Sequence, residues 1–186
     1  MNESKMKKLK EPDGLTVVYT GNGKGKTTAA LGLCIRAAGY RWKVFILQFM
    51  KGTWRYGEMD GINLLGDYVT MEQMGKGFYK ILDDNLPEEE HKKAAAEAVE
   101  RAREVIHSGG YQLVILDEIN NAVDLELIGL PDVIDIVKNK PEKLNLVLTG
   151  RNAKPEIIEL ADLVTEMKEV KHPFQQGFSA KKGVDY

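Results

Sequence analysis

TGNGKGKTT, residues 20–28, decides the fold, because it separates a short β-branched run from a helical pattern. The run before it, TVVY at residues 16–19, predicts a strand, and the Ala- and Leu-rich residues 28–38 predict a helix. The alternating glycines of the stretch let backbone N–H groups converge on an anion at close range. The start of the following helix adds the positive end of its dipole. The stretch therefore predicts a phosphate-binding loop.

Two side chains of the stretch fit the chemistry of such a loop. The ammonium of Lys26 can reach phosphate oxygens, and the hydroxyl of Thr27 stands where Mg²⁺ would bind. The pattern departs from the G-x-x-x-x-G-K-[ST] spelling at Thr20, which replaces the first glycine. A purely structural glycine-rich turn is disfavoured, because G-K-T-T falls at the strand–helix junction that the mechanism requires. Lys24 adds a second cation, which is either a phosphate contact or a solvated lysine.

A second element consists of the apolar run LVIL, residues 113–116, followed by Asp117 and Glu118. A buried strand of a parallel sheet delivers such carboxylates to the carboxyl edge, where ligands of α/β folds bind. There they can hold Mg²⁺ directly or through water. Alone, they could equally cap the helix that follows. Beside a phosphate loop they indicate a Mg–nucleotide site, which leaves open the bond that the protein breaks.

The rest of the chain alternates strands with helices, and its 186 residues suffice for one domain. Runs such as residues 44–47 are apolar on both faces, as in a mostly parallel sheet with helices on both faces. We expect a single α/β P-loop NTPase (RecA-like) domain over residues 14–186, after a mobile N-terminal arm at residues 1–13. Residues 50–66 look irregular, and residues 119–128 look helical.

Composition excludes several classes of function. The formal charge of −2 gives no general electrostatic reason to expect nucleic acid or an anionic membrane as a partner. The single cysteine, Cys34, excludes an internal disulfide framework and a multi-thiolate metal site, and we expect it in the core. No secretory signal or membrane span is visible, so a cytoplasmic location is expected. His91, His107 and His172 are expected at the surface or at helix ends rather than as ligands.

Longer motifs run through nearly the whole chain. They are GNGKGKTTAALG (residues 21–32), RAAG (36–39), QFMKG (48–52), GKGF (75–78), LVILDEIN (113–120), LTGRNA (148–153), ADLVTEM (161–167) and VKHPFQQGFSAKKGVDY (170–186). On these motifs the chain resembles the P-loop family of ATP:corrinoid adenosyltransferases. The loop spelling without its first glycine is itself typical of that family.

The resemblance implies an activity that transfers the 5′-deoxyadenosyl group of ATP to the Co(I) of a reduced corrinoid and releases triphosphate. The acceptor would be cob(I)alamin or cob(I)yrinic acid a,c-diamide, in adenosylcobalamin synthesis or salvage. Cobalt would be the nucleophile, and ATP would lie along the loop in reversed orientation. The loop and the acidic strand alone also fit a small-molecule kinase or ATPase. A non-catalytic corrinoid carrier is a third class.

The resemblance also implies roles for individual residues. ATP would be bound by Gly21, Asn22, Gly23, Lys24, Gly25, Lys26, Thr27, Thr28 and Arg36. Catalytic roles would fall on Lys26, Thr27 and Glu118, and a Mg²⁺ (or Mn²⁺) ion on Thr27, Asp117 and Glu118.

Phe78 and Tyr79 would bind the corrinoid, with Phe78 keeping the axial base off cobalt. Lys80 stands where the family has tryptophan, and Tyr79 is the candidate for a partial substitute. The nearby aromatic Tyr56 either touches the corrin or packs locally. The family further implies a homodimer and an electron donor such as a flavoprotein, and residues 1–12 are a candidate cover for the corrinoid site.

Overall fold

The computed structural model describes residues 10–52, 55–77, 79 and 84–186. Its strands are β1 (Thr16–Thr20), β2 (Val44–Gln48), β3 (Val69–Gln73), β4 (Leu113–Asp117), β5 (Asn145–Thr149) and β6 (Leu163–Glu166). Its helices are α1 (Lys26–Gly39), α2 (Gly57–Asn63), α3 (Glu88–His107), α4 (Ile119–Asp124), α5 (Leu130–Asn139) and α6 (Pro155–Leu160).

The strands form one six-stranded sheet in the order β3-β2-β4-β5-β1-β6. Every neighbouring pair is parallel, so all the strands end at the same edge of the sheet. Strand β5 lies between β1, which leads into the glycine-rich loop, and β4, which ends in the acidic pair. The loops after these three strands therefore meet at one edge. The expected parallel α/β fold is confirmed.

Helices cover both faces of the sheet, as alternation along the strands requires. In β2, Val44 and Ile46 join the apolar cluster under α1 and α2, while Phe45 and Leu47 join the cluster under α3 to α6. All four side chains are at most 1% exposed. Burying one such side chain contributes roughly 1.5–3 kcal/mol before the entropy of ordering is subtracted, so these positions anchor both layers.

The segment expected to be irregular contains a helix, so that prediction was wrong for residues 57–63. Helix α2 has the sequence GEMDGIN, in which two glycines and two carboxylates obscure any apolar stripe. Its one buried side chain, Ile62, packs in the same cluster as Val69 of β3. Tertiary packing rather than intrinsic propensity therefore holds this helix.

Helix α4 is shorter than the pattern over residues 119–128 predicted. It ends at Asp124, and Glu126 adopts left-handed backbone geometry with φ 57°. The Leu127 N–H then donates to Ala122 O at 2.9 Å, which satisfies one of the last helical carbonyls.

His91 lies in the first turn of α3, so it is a helix-end residue as expected, but it is buried rather than at the surface. It lies on the face of α3 that also carries Ala94, Ala95 and Ala98, and it is 3% exposed. Its Nε2 lies 3.0 Å from Asp84 Oδ1, so the buried imidazole has a polar partner. Cys34 is fully buried, as expected.

The N-terminal arm remains a prediction, because residues 1–9 lie outside the described part of the chain. The Gly14 N–H donates to Glu142 O at 2.8 Å, which ties residue 14 to the folded body. Among the described helices, none is long and apolar enough to cross a membrane.

Candidate active site

The glycine-rich loop runs from the end of β1 to the start of α1 and packs against the chain that follows β6. Gly21 and Gly25 have φ of 94° and 119°, which disfavour any residue with a side chain. A Cβ on Gly21 would also lie 2.5 Å from Met167 O. The Gly23 N–H donates to the same carbonyl at 2.6 Å. The positive φ angles and the close approach of the Met167 carbonyl explain why glycine occupies these positions of the loop.

Thr20, which replaces the usual first glycine, has a structural partner. Its side chain is buried, and its Oγ1 accepts a hydrogen bond from the Ala153 N–H at 3.2 Å. Its carbonyl accepts from the Met167 N–H at 2.8 Å. Thr20 therefore joins the phosphate loop to the segments that follow β5 and β6.

Lys26, the first residue of α1, reaches back into the loop. Its Nζ donates to Gly21 O at 2.7 Å and to Gly23 O at 2.8 Å. Burial lowers the pKa of this ammonium, and the positive charge of Arg151 lowers it further. The cation is thus held inside the loop, within reach of phosphate oxygens that the loop would bind.

Asp117 is the centre of a buried hydrogen-bond network next to the phosphate loop. It is 1% exposed, and its Oδ1 accepts from the hydroxyls of Thr27 at 2.9 Å and Thr149 at 2.7 Å. Its Oδ2 accepts from Gln48 Nε2 at 3.0 Å, and Gln48 Oε1 accepts from Gln73 Nε2 at 2.7 Å. Asp117 therefore holds Thr27 in a fixed rotamer.

Glu118 points into the cleft next to this network. Its backbone is left-handed with φ 63°, and its N–H donates to Thr149 Oγ1 at 2.9 Å. Burial raises the pKa of its carboxyl to about 7, and the negative charge of Asp117 adds to the effect. Lys51 and Lys26 act in the opposite direction. A carboxyl with this raised pKa is short of compensating positive charge.

The oxygens of Thr27, Asp117 and Glu118 fit a hard divalent cation such as Mg²⁺. Among the described residues, no group of three or more His, Cys, Asp or Glu side chains could hold a metal by itself. Magnesium generally binds through one or two carboxylates together with substrate phosphates, so the small donor set here suits it.

Thr27 and Glu118 line a cleft of about 720 Å³ at the carboxyl edge of the sheet, whereas the buried Asp117 is absent from its described lining. That volume lies in the range of small-molecule and cofactor sites. The phosphate loop and α1 contribute Lys24, Gly25, Lys26, Thr27 and Thr28. Other segments contribute Lys51, Tyr56, Tyr79, Glu118, Arg151 and the four residues Gly183, Val184, Asp185 and Tyr186.

Sequence reasoning missed two cations of the cleft, Lys51 and Arg151. Lys51 is 8% exposed, forms an ion pair with Glu58 and lies 4.4 Å from the centre of the Tyr56 ring. Local packing is thus established for Tyr56, which also lines the cleft. Lys51 and Arg151 follow buried strands of a parallel sheet, and this position was the available signal.

Arg151 is delivered on a fixed backbone. Its N–H donates to Asn121 Oδ1 at 2.5 Å, and a Cβ on Gly150 would lie 2.6 Å from the same oxygen. Lys154, three residues later, forms an ion pair with Asp124 at 2.7 Å. In the described part of the chain, the Arg151 guanidinium itself makes no hydrogen bond or ion pair, and it faces the cleft.

The structure does not bring every predicted residue to the cleft. Arg36 lies in the last turn of α1, about 15 Å along the helix from Lys26, and is absent from the described lining. Asn22 is exposed and is likewise absent from it. Tyr79 does line the cleft, is 6% exposed and packs 5.1 Å from the His91 ring. Phe78, like Trp54 and Lys80, lies outside the described residues.

Solved structures with a similar fold include the following two. The flagellar accessory protein FlaH from Methanocaldococcus jannaschii gives a TM-score of 0.55 at 14% identity, over 83% of this chain and 71% of that chain. The ATPase EscN of the enteropathogenic E. coli type III secretion system gives 0.55 at 16% identity, over 82% of this chain and 42% of that chain. At such identities the likeness shows the fold alone.

Curated relatives match almost end to end. The corrinoid adenosyltransferase of Escherichia coli (strain K12) is 36% identical over 99% of this chain and 91% of its own length. The corrinoid adenosyltransferase of a Sinorhizobium species is 39% identical over 93% of this chain and 80% of its own length. The corrinoid adenosyltransferase CobA of Salmonella typhimurium is 36% identical over 99% and 91%. Residues 12–186 match the family described as ATP:corrinoid adenosyltransferase BtuR/CobO/CobP, and the chain belongs to that family.

Proposed function

We propose that this protein transfers the 5′-deoxyadenosyl group of ATP to the Co(I) of a reduced corrinoid and releases triphosphate. One observation carries the proposal: in a chain that belongs to the adenosyltransferase family, Lys26, Thr27 and Glu118 line one cleft at the carboxyl edge of the sheet. The cleft has the loop to hold a polyphosphate.

The reaction is a displacement at carbon. A cobalt–carbon bond forms at C5′, the bond from C5′ to the α-phosphate oxygen breaks, and the electron pair of that bond leaves with triphosphate. Cobalt supplies the pair for the new bond, so no proton moves and no protein nucleophile is required. The protein contributes by orienting the reactants and by meeting the charge on the leaving group with groups fixed beforehand.

The leaving triphosphate would be met by Lys26 and by the loop N–H groups. Lys26 is already held by the carbonyls of Gly21 and Gly23, so little reorganisation is needed when phosphate arrives. Thr27 and Glu118 would hold Mg²⁺ (or Mn²⁺), with Asp117 acting through the Thr27 hydroxyl. The bound cation would neutralise part of the triphosphate charge.

The corrinoid would lie on the side of the cleft that carries Tyr79. Its ring is buried against His91, which gives the cleft an aromatic surface on that side. Phe78 would lie against the lower face of the corrin. We further propose a homodimer that works in the cytoplasm and receives electrons from a donor such as a flavoprotein.

Product identity tests the proposed function. The protein is incubated with MgATP, a strong reductant and hydroxocobalamin, and the corrin spectrum and phosphate products are followed. Adenosylated corrinoid together with triphosphate is the expected result. ADP or free phosphate with an unchanged corrinoid would identify a kinase or ATPase, and tight binding of both ligands without turnover would identify a carrier.

Arg151→Ala is expected to raise the KM for ATP by about 10- to 100-fold, as the loss of a charged hydrogen bond does. The guanidinium faces the cleft from a backbone held by Asn121. Initial rates at varied MgATP with prereduced corrinoid measure the effect. Arg36→Ala is the matched comparison, since the resemblance places Arg36 near the nucleotide and the structure places it in the last turn of α1. A larger effect at Arg36 than at Arg151 would contradict this assignment.

A further inference from the structure

Residues 181–186, here called the strap, form part of the wall of the nucleotide cleft. Four of them, residues 183–186, line it directly. On one side, Asp185 Oδ1 lies 2.9 Å from Nζ of Lys24 in the phosphate loop. On the other side, the strap backbone passes the start of α2, where a Cβ on Gly57 would lie 3.7 Å from the Tyr186 carbonyl carbon. The strap thus bridges the phosphate loop and α2.

The Asp185 carboxylate is oriented by the strap's own turn. Its Oδ2 accepts from the Lys181 N–H at 2.7 Å, and the Asp185 N–H donates to Lys181 O at 2.7 Å. The other oxygen therefore remains aimed at Lys24. The hydrogen bonds from the Lys181 N–H and from Lys24 lower the pKa of Asp185, so it is an anion at neutral pH.

Little apolar surface holds the strap in place. Val184 is 60% exposed and Tyr186 is 44% exposed. The Lys24 and Asp185 side chains are 39% and 24% exposed, and an ion pair of that exposure is weak. The strap can therefore leave the phosphate loop when a stronger anion takes its place. A triphosphate carries several charges to the same lysine.

We propose that Asp185 is an internal anionic ligand of the phosphate loop, which competes with the triphosphate of the nucleotide for Lys24. This inference rests on the proposed function, because it concerns the same cleft. The strap lines the cleft beside the phosphate loop, and binding of a triphosphate displaces Asp185 from Lys24. Lys24 is then neither a solvated lysine nor a permanently free phosphate contact, but a cation shared between two anions.

The test is a double-mutant cycle on binding of inorganic tripolyphosphate with Mg²⁺ to the full chain, without corrinoid. Asp185→Asn is expected to lower the Kd by about 2- to 5-fold at low salt, which matches the worth of an exposed ion pair. In the Lys24→Met background the same substitution is expected to leave the Kd unchanged. At about 0.5 M salt the effect of Asp185→Asn shrinks, because exposed charges are screened.

Glu169→Gln is the matched control, since Glu169 is a tail carboxylate that bonds to Gln175 outside the cleft lining. It is expected to leave the Kd unchanged. Weaker or unchanged binding in Asp185→Asn would overturn the competition, and so would tightening that persists in the Lys24→Met background. Unaltered thermal unfolding of each variant shows that the fold is intact.

Failure of the strap proposal and failure of the proposed function are distinguishable, because the binding cycle contains no corrinoid. Tightening in Asp185→Asn by a protein that forms no adenosylated corrinoid leaves the competition standing and overturns the transferase. If Asp185→Asn leaves the Kd for tripolyphosphate unchanged and the protein still adenosylates the corrinoid, the competition is overturned and the transferase stands.

Discussion

Replacement of Lys26 by alanine is expected to slow corrinoid adenosylation by about 10²-fold or more. Lys26 Nζ lies 2.7 Å from Gly21 O and 2.8 Å from Gly23 O, so the ammonium is already inside the loop. Negative charge that develops on the leaving triphosphate meets a cation fixed before the reaction. Alanine removes that cation and also the two hydrogen bonds that hold the loop. The measurement is the initial rate with prereduced corrinoid and saturating MgATP.

Two comparison variants separate charge from position. Lys93→Ala removes an exposed lysine of α3 and is expected to keep the full rate. Lys26→Arg keeps the charge but replaces a compact ammonium with a planar fork, which does not fit between the Gly21 and Gly23 carbonyls. It is expected to stay well below the normal rate. A Lys26→Ala protein that retains more than about a tenth of the rate would contradict the electrostatic role.

The elements that carry the phosphate loop and the acidic pair could be predicted from the sequence, because their signals are local. One glycine-rich stretch lies between an apolar run and a segment with helical periodicity. It predicts β1, the loop and α1 together. Strand β4 follows from four apolar residues before Asp117. The parallel sheet then places the loop and Asp117 at the same edge without further information.

Other features could not be predicted, because they depend on contacts between distant segments. Helix α2 is held by Ile62 against β3, and its sequence has no apolar stripe. Arg151 reaches the cleft because β5 lies between β1 and β4, a strand order that no local pattern encodes. Asp185 meets Lys24 through a tail without periodic pattern. The burial of His91, by contrast, could have been predicted from the sequence. Its spacing from Ala94, Ala95 and Ala98 places it on the buried face of α3.

Glu118→Gln is expected to lower activity while it stabilises the ligand-free protein. Glutamine keeps the shape of the side chain but removes the charge that would hold Mg²⁺ beside Thr27. We expect the adenosylation rate at limiting Mg²⁺ to fall by about 10- to 100-fold, with partial recovery at high Mg²⁺. The measurement is the initial rate as a function of Mg²⁺ concentration at saturating ATP.

The stability effect depends on pH, and its sign follows from the raised pKa. The carboxyl of Glu118 has a pKa of about 7 in the folded protein, above its ordinary value of 4.5. Between these values the folded state keeps a proton that the unfolded state has lost, so this contribution to stability is complete in acid and is lost as the pH rises through 7. Glu118→Gln is therefore expected to match the parent near pH 5 and to exceed its Tm at pH 8 by roughly 2–6 °C. Thermal unfolding in chelator, without nucleotide, measures the difference.

Asp117→Asn, one residue earlier, provides the opposite case and makes the interpretation of Glu118 specific. Asp117 accepts hydrogen bonds from Thr27 and Thr149 on Oδ1 and from Gln48 on Oδ2. Asparagine keeps only one accepting oxygen, so its amide nitrogen would face at least one of these donors without accepting from it. That variant is expected to lose stability at both pH values as well as activity. The sign of the stability change thus distinguishes the two carboxyls. Loss of stability identifies Asp117 as a structural residue, and a gain at pH 8 identifies Glu118 as a residue that binds a cation. If Glu118→Gln instead lowered the Tm at pH 8, Glu118 would be a structural residue, and the cation would have to be held by Thr27 and the phosphates alone.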